Sequence, residues 1–348
     1  MTTPKVTILM SVYNGEKYLK EAIESMLKQS FSDFEFLVFN DCSTDSSREI
    51  ILSYNDPRIV LVDNEKNIGL TKTLNKGITL AKGAYIARMD ADDVSHPERL
   101  NEQVKFLDKN TDVCVCGTWV KFLKEKEILE FPLEKNELKV AFLCCSCFAH
   151  PSVMIRKSFL EKHALHYNEQ LLYAQDYELW VKCSHLGALG NIGKALLFYR
   201  NHEDQISFHK KNQQQAFANV ARLLQLEYLG ITPSKDEEQL HCSLMKSQFE
   251  FTDMYIQKSF QWVERLTAAN QKTAAFPEFY FNRLMASTKE QLLLTYYQHT
   301  GYDFTLLKLL FNSPYQPFKN LSLINKSKLI FKCMLHLKNK NSQLKNIN

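Results

Sequence analysis

Short apolar runs alternate with amphipathic segments over the first hundred residues of the chain. Four runs rich in β-branched or aromatic residues, at 6–12, 34–39, 58–62 and 84–89, predict buried strands. Between them, apolar residues repeat at helical spacing at 18–27, in a segment that ends at Tyr54, and at 70–80. Strands that alternate with helices favour a parallel sheet with crossover helices on both faces. The sequence therefore predicts an α/β fold.

The same texture continues to about residue 207 and then changes. Strand-like runs at 113–120, 153–156 and 195–199 alternate with predicted helices at 97–107, 135–142 and 175–185. From residue 208 the periodicity is that of long helices, interrupted by Pro233, Pro277, Pro314 and Pro317. We therefore predict an α/β domain over residues 1–207 and a helical C-terminal region over residues 208–348.

The charge of the chain is unevenly distributed. The formal net charge is +4, but eight Lys and no Asp or Glu follow Asp303. Residues 1–303 contain 35 basic and 39 acidic residues, a net charge of −4. This distribution argues against a nucleic-acid partner and is compatible with a basic tail that touches an anionic membrane surface. A solvated C-terminus is the alternative. The apolar residues of the tail spread widely around a helix, which favours electrostatic attraction over insertion.

Nine Cys and an N-terminus without a basic, apolar leader favour a reducing, cytoplasmic location. Two groups of Cys, at 114/116 and at 144/145/147, lack the spacing of structural zinc sites, so we expect them to be core thiols. The longest apolar stretch, at 140–148, is about half of the ~20 residues that a membrane-spanning helix needs.

Three carboxylates follow the fourth predicted strand within four residues: Asp90, Asp92 and Asp93. Like charges this close repel one another, so the cluster suggests a hard divalent cation with oxygen ligands, Mg2+ or Mn2+. The alternative is an acidic turn that caps a helix. In open sheets of this kind, ligands bind beyond the carboxyl ends of the strands, which is where this cluster lies.

Two common ways of binding a nucleotide on such a sheet are excluded. The first strand is followed by Ser-Val-Tyr-Asn-Gly, and the chain has neither a G-x-x-x-x-G-K-[ST] loop nor a G-x-G-x-x-G turn at that place. A diphosphate bound here would have to be held by a metal ion and by cationic side chains.

Seven segments in order resemble the signatures of family 2 glycosyltransferases with the GT-A fold. Residues 6–14, 40–45, 67–69 and 86–93 match the early motifs, and residues 150–156, 174–180 and 199–207 are similar to later blocks of bacterial capsule and lipooligosaccharide members. The resemblance covers residues 5–207. It implies that residues 1–207 form a nucleotide-sugar-binding and catalytic domain with a Rossmann-like, mostly parallel sheet.

The resemblance also implies roles for particular residues. The uracil of a UDP-sugar is expected near Tyr13, Asn14, Asp41 and Asn67, and near Val12 at the end of the first strand. Asp90 matches the ribose-side carboxylate, Asp92 the metal ligand and Asp176 the catalytic base. Arg200 and His202 are expected at the donor phosphates. The chain departs from the family pattern at Gln175, where Glu is usual, and at Cys42, where Gly is usual.

These expectations describe an inverting, metal-dependent glycosyltransferase. It would move a sugar, with N-acetylglucosamine or galactose favoured, from a UDP-sugar to a glycan or lipid-linked glycan acceptor in lipopolysaccharide, lipooligosaccharide or capsule synthesis. Its expected place is the cytoplasm, with peripheral attachment to the inner face of the membrane allowed by the basic tail.

Three other functions remain as alternatives at this point. A non-catalytic nucleotide- or glycan-binding module on a degenerate transferase fold is the first. A sugar-nucleotide pyrophosphorylase should carry a Gly-rich basic loop after the first strand, which this chain lacks. A hydrolase would have to use His150 and Ser152, for which the sequence offers no third, orienting residue.

Overall fold

The computed structural model describes residues 3–203, 205, 210–300 and 322–334. The chain divides into two compact units, residues 1–221 and 222–348. The predicted boundary near residue 208 remains a prediction.

One mixed sheet forms the centre of the first unit. Its strands are β1 (Val6–Val12), β2 (Phe34–Asn40), β3 (Ile59–Asp63), β4 (Tyr85–Asp90), β5 (Val94–Ser95), β6 (Val113–Phe122), β7 (Ile128–Leu129), β8 (Met154–Arg156) and β9 (Ala188–Tyr199). The order is β3-β2-β1-β4-β8-β6-β9-β5, and β7 pairs with β6. The first four strands are parallel, whereas β8 pairs antiparallel with both β4 and β6.

Within the ranges that the structure describes, seven helices accompany this sheet. They are α1 (Glu16–Leu27), α2 (Ser47–Leu52), α3 (Leu70–Leu80), α4 (Arg99–Lys109), α5 (Lys135–Ala141), α6 (Lys157–Lys162) and α7 (Gln175–Leu186), with a 3-10 turn at His150–Ser152. The second region of the chain contains α8 (Lys211–Tyr228), α9 (Lys235–Met245), α10 (Asp253–Thr273), α11 (Glu278–Thr300) and α12 (Leu323–Met334). None of the helices in the described ranges has the length and hydrophobicity that a membrane-spanning segment requires.

The buried residues of the core follow the strand and helix patterns of the sequence. Every residue of β2 is buried, as expected for a strand covered on both faces. On α1 the buried apolar residues are Leu19, Ala22, Ile23 and Met26, a spacing of three and four that places them on one face. Helix α3 approaches β1 through Gly77, where a Cβ atom would lie 2.2 Å from Leu9 Cδ1.

The α/β fold is thus confirmed, with several differences in detail, among them helix α6, which was not predicted. Strand β9 begins at Ala188, seven residues before the predicted run, and the two-residue strands β5 and β7 were not predicted. The first half of β9 contains Gly190, Asn191 and Gly193, residues that are rare in strands, so its sequence does not indicate one. A glycine is needed at position 190 because a Cβ atom there would lie 2.8 Å from the Phe106 ring.

All nine cysteines are free thiols. The prediction of core thiols is confirmed for Cys114 and Cys116, which are buried, and for Cys147. It is wrong for Cys145, which is exposed, and only partly right for the half-buried Cys144.

Several residues of the basic tail lie outside the described residues, namely Lys308, Lys319, Lys338, Lys340 and Lys345. The other three are on α12.

Candidate active site

The carboxyl ends of three neighbouring strands meet at one edge of the sheet. In the strand register, Ser11 of β1 lies beside Asp90 of β4, and Val12 lies beside Asn40 of β2. The loops that leave β1, β2 and β4 therefore start within one strand spacing of each other, about 5 Å. Six of the ten predicted site residues lie on these loops or at the strand ends that they leave, namely Val12, Tyr13, Asn14, Asp41, Asp90 and Asp92.

The loop after β1 is bonded to the loop after β2. Asn14, which has a φ of 51°, accepts a hydrogen bond from the Thr44 amide through its Oδ1 at 2.8 Å. The Gly15 amide donates to Ser47 Oγ at 2.9 Å. Two further hydrogen bonds join the same loops. The Glu16 amide donates to the Asp45 carboxylate, and the Ser46 amide donates to the Glu16 carboxylate. We call residues 13–16 and 43–47 together the paired loops.

The predicted base-side residues occupy different environments around these loops. Val12 is fully buried, and its carbonyl accepts a hydrogen bond from the Asp41 amide at 2.8 Å. Tyr13 is 54% exposed, so its ring is accessible for stacking. Asn67 is exposed, and its Oδ1 accepts from the Gly69 amide.

Asp41 is buried, and both of its carboxylate oxygens are used inside the protein. Its Oδ1 accepts from Asn64 Nδ2 at 2.8 Å and from the Ile68 amide at 2.9 Å, and its Oδ2 accepts from the Gly69 amide at 2.9 Å. Gly69 has a φ of 84°, a conformation that favours glycine. Asp41 therefore fixes the shape of the segment that contains Asn67.

The three carboxylates after β4 are close enough to share one cation. Asp90, Asp92 and Asp93 each offer an oxygen, and these oxygens lie within 4.8 Å of one another. Asp93 Oδ2 is buried and accepts no hydrogen bond from the residues that the structure describes. Burial, together with the neighbouring Asp90 and Asp92 carboxylates, raises the pKa of Asp93 well above its usual range. An oxygen-rich set of this kind fits a hard divalent cation such as Mg2+ or Mn2+.

Arg88 is a buried cation beside this cluster. It is 2% exposed, lies in β4 two residues before Asp90, and forms an ion pair with the Asp90 carboxylate. Burial raises the pKa of Asp90, and the Arg88 guanidinium opposes that rise. Arg88 thus compensates part of the negative charge and orients one of the three carboxylates.

His202 and Arg200 lie at the same cluster, although they follow β9 at the far end of the domain sequence. His202 Nε2 is 2.9 Å from Asp92 Oδ2, so its imidazole could serve as a nitrogen ligand to an ion held by Asp92. The Arg200 amide donates to Asp93 Oδ1 at 2.9 Å, and its Nε donates to the Asp92 carbonyl at 2.8 Å.

The Arg200 guanidinium also contacts two residues of helix α1. It forms an ion pair with Glu21 and lies 4.4 Å above the centre of the Tyr18 ring. A contact with donor phosphates would require this guanidinium to exchange Glu21 for the ligand.

Asp176 is on the first turn of α7. The residue Ala174 before this helix has a φ of 62°, which turns the chain sharply into α7. Asp176 is half-buried, and burial raises the pKa of its carboxyl group. Arg88 lowers that pKa and Asp90 raises it, so Asp176 lies within electrostatic reach of the carboxylate cluster. Gln175, its neighbour, is 5% exposed.

The hydrolase alternative has no support in the geometry. Ser152 is fully buried, and its hydroxyl donates to the Ala149 carbonyl at 2.8 Å. His150 Nε2 is 2.9 Å from the Tyr167 hydroxyl, and burial lowers the pKa of His150 well below its usual range. His150 is therefore a half-buried hydrogen-bond partner of Tyr167.

Sequence reasoning gave no role to Arg88 or to Glu21. The signal for Arg88 was present, because an arginine within a buried apolar strand needs a charged partner. Glu21 gives no such signal, since it is an ordinary helix residue whose partner Arg200 lies 179 positions away.

Comparisons with known proteins identify the family of the chain. A family model described as glycosyl transferase family 2 matches residues 7–163. The uncharacterized glycosyltransferase MJ1057 of Methanocaldococcus jannaschii is 37% identical over 229 residues, which cover 62% of this chain and 78% of that protein. The O-antigen biosynthesis glycosyltransferase WbnJ of Escherichia coli is 30% identical over 225 residues, 61% of this chain and 84% of that protein.

Solved structures share the fold at low sequence identity. TarS residues 1–349 from S. aureus, in complex with UDP-GlcNAc, has a TM-score of 0.57 at 19% identity, over 84% of this chain and 90% of that chain. The mannosyltransferase PcManGT from Pyrobaculum calidifontis, in complex with GDP-Man and Mn2+, has a TM-score of 0.50 at 14% identity, over 96% and 87%. The expected GT-A fold is confirmed, and the chain belongs to glycosyltransferase family 2.

Proposed function

We propose that this glycosyltransferase transfers a sugar from a UDP-sugar to a hydroxyl of a glycan acceptor with inversion of configuration, and that it needs Mn2+ or Mg2+. The observation that carries the proposal is the cluster of Asp90, Asp92 and Asp93 at the ends of the parallel strands, with His202 bonded to Asp92. N-acetylglucosamine and galactose are the favoured donor sugars. UDP-GlcNAc is the ligand of the TarS structure, which supports this choice.

The donor nucleotide would lie along the paired loops. Tyr13 offers an exposed ring on which the base can stack, and Asn67 offers an exposed amide. Asp41 acts on the nucleotide through the segment that it holds, because its oxygens already accept three hydrogen bonds. Asp90 would lie at the ribose side.

The departing diphosphate is negatively charged and needs a positive charge nearby. The carboxylates would provide that charge by holding a divalent cation. Asp92 would hold a divalent ion together with Asp93 and His202, and the bound ion would stabilise negative charge on the departing diphosphate as a Lewis acid. Arg200 adds a second positive charge at the same place if it exchanges Glu21 for phosphate.

Asp176 would act as the general base. Its carboxylate accepts the proton of the attacking acceptor hydroxyl, and the raised pKa brings its basicity closer to what proton transfer near neutral pH requires. A single carboxylate acting on the face opposite the leaving group gives one displacement, so an α-linked UDP-sugar would give a β-glycoside.

The acceptor would be a glycan or lipid-linked glycan of lipopolysaccharide, lipooligosaccharide or capsule assembly. The similarity to WbnJ, named for O-antigen biosynthesis, supports this class. We place the enzyme in the cytoplasm, attached peripherally to the inner face of the membrane, because eight Lys and no acidic residue follow Asp303. The alternative of a non-catalytic module is disfavoured because Asp92 and Asp176 are both present.

Two substitutions test the roles of the ion and the base separately. Asp92→Asn should abolish transfer and remove the Mn2+-dependent part of UDP binding, measured by calorimetry with and without Mn2+, because an amide is a poor ligand for a hard cation. Asp176→Asn should leave donor affinity nearly unchanged and lower kcat by at least ~10²-fold.

The matched control is Asp112→Asn, at an exposed carboxylate paired with Lys135 at the start of β6. Undiminished turnover of Asp92→Asn would refute the metal site. A loss of donor affinity in Asp176→Asn at normal kcat would make Asp176 a binding residue. A screen of UDP-GlcNAc, UDP-galactose and GDP-mannose by thermal stabilisation decides the donor class.

A further inference from the structure

Helix α12 is fixed to the second unit along one side. The Ser322 amide and Asn325 Nδ2 both donate to Glu290 Oε1 of α11 at 2.8 Å, which anchors the first turn. Further along, Leu329 is 3% exposed and Cys333 is fully buried. These contacts determine which face of α12 is turned outward.

The outward face is apolar. Four of its large side chains are 60–81% exposed, namely Leu323, Ile324, Phe331 and Met334. At about 100° per residue they fall within one arc of about 100°, with Ser327 between them. The apolar positions of α12 spread widely around the helix, as expected from the sequence. The spread arises because Leu329 and Cys333 belong to the buried side and the other four form a separate stripe.

Lysines lie on both sides of this apolar stripe. Lys328 follows Ile324 by about 40° around the helix, and Lys326 precedes Leu323 by about 60°. The helix contains no acidic residue, and no Asp or Glu follows Asp303 in the sequence. A second copy of the same face would bring lysines against lysines. An anionic lipid bilayer has an apolar interior, which matches the stripe, and negatively charged headgroups at its surface, which match the flanking lysines.

We infer that α12 lies in the interface of an anionic lipid bilayer, with the stripe of Leu323, Ile324, Phe331 and Met334 among the acyl chains and the lysines at the headgroups. The inference rests on the peripheral attachment included in the proposed function, and it names the element that makes the attachment. It also changes the mode of attachment, since apolar insertion adds to electrostatic attraction.

Sedimentation with vesicles tests the inference on the full chain. The vesicles contain phosphatidylcholine, either alone or with a minority of phosphatidylglycerol. Phe331→Ser should weaken binding to the anionic vesicles about tenfold, the loss expected when a partly inserted phenyl ring is removed. Phe279→Ser is the matched control, because Phe279 is 70% exposed on α11 of the same unit. It should bind as the wild type does.

A charge variant and salt separate the two contributions. Lys328→Gln should weaken binding about fivefold, and the exposed Lys272→Gln on α10 should not. In about 1 M KCl, where the screening length is ~3 Å, part of the wild-type binding should persist and Phe331→Ser should lose it. Unchanged thermal melting of each variant shows that it is folded.

Each contrary result refutes the inference in a different way. If Phe331→Ser binds as tightly as the wild type, attachment is electrostatic and α12 does not insert, while peripheral attachment stands. If the wild type does not bind either vesicle, both the inference and the proposed attachment are wrong, and donor turnover is unaffected by that outcome. If light scattering shows a wild-type dimer that Phe331→Ser converts to a monomer, a second copy covers the stripe.

Discussion

Replacing Asp41 by Asn tests whether this residue acts on the donor directly or through the segment that it holds. The carboxylate accepts three hydrogen bonds, from Asn64 Nδ2, the Ile68 amide and the Gly69 amide, at 2.8–2.9 Å. The side chain is 2% exposed, so water cannot replace a lost partner without opening the segment. In Asp41→Asn one acceptor oxygen becomes an NH2 donor, which faces another donor.

The magnitude follows from the number and kind of bonds lost. A hydrogen bond to a buried charged acceptor contributes about 1.5–3 kcal/mol. Asp41→Asn loses one of the three bonds and the charge that strengthens the other two, so we expect the free energy of unfolding of the first unit to fall by about 2–3 kcal/mol. For a unit of this size the corresponding decrease in Tm is roughly 5–10 °C.

Scanning calorimetry measures the decrease, and amide hydrogen exchange of Ile68 and Gly69 measures the local opening. Asn67→Ala in the same segment is the control; its side chain is exposed and makes one bond, at 3.1 Å, so the expected change is below about 0.5 kcal/mol. Unchanged stability and unchanged exchange in Asp41→Asn, with a raised donor KM, would refute the positioning role and make Asp41 a direct ligand of the base.

Three further predictions concern strain and protonation. Cys42 has a φ of 62°, so Cys42→Gly should raise the free energy of unfolding by about 0.5–1 kcal/mol; no gain over Cys42→Ala in calorimetry would contradict this. Burial lowers the pKa of His241 from 6.5 to about 4, so the unfolded state binds a proton that the folded state does not, and stability decreases as pH falls from 6.5 to 4. Urea unfolding should show about 2 kcal/mol lost at pH 5 relative to pH 7.5, and His241→Gln should remove most of that difference unless another group is responsible. Because burial raises the pKa of Asp176 above 3.8, kcat should fall as pH decreases through that raised pKa; a plateau extending below pH 3.8 would exclude Asp176 as the base.

The sequence predicted the first half of the fold well because the patterns there are local. Strand β1 and helix α3 have the predicted bounds, 6–12 and 70–80, since runs of apolar residues and helical spacing can be recognised within a few residues. Strand β9 could not be recognised in this way. Its early residues Gly190 and Asn191 are acceptable only because β6 and α4 lie against them, which is a tertiary effect.

In the site, the sequence predicted which residues are present but not which atoms they contact. The motifs named Asp92, Asp176 and His202, but no pattern in the chain indicates that His202 is bonded to Asp92, 110 positions earlier. Asp41 illustrates the converse, because its motif suggests a contact with the nucleotide, whereas its carboxylate accepts hydrogen bonds from residues 64–69. Which atoms a side chain contacts depends on loop conformations that its own motif does not determine.

The proposed position of the donor along the paired loops has a consequence for changing the donor specificity of this enzyme. Asn14 and Thr44, and likewise Glu16 and Ser46, form hydrogen bonds across two different segments of the chain. A substitution in one loop therefore leaves an unpaired group in the other, and the effects of the two positions will not be additive. Libraries that randomise residues 13–16 alone should yield mostly destabilised proteins. Nucleotide preference is more accessible to variants in which residues 13–16 and 43–47 are exchanged as one unit.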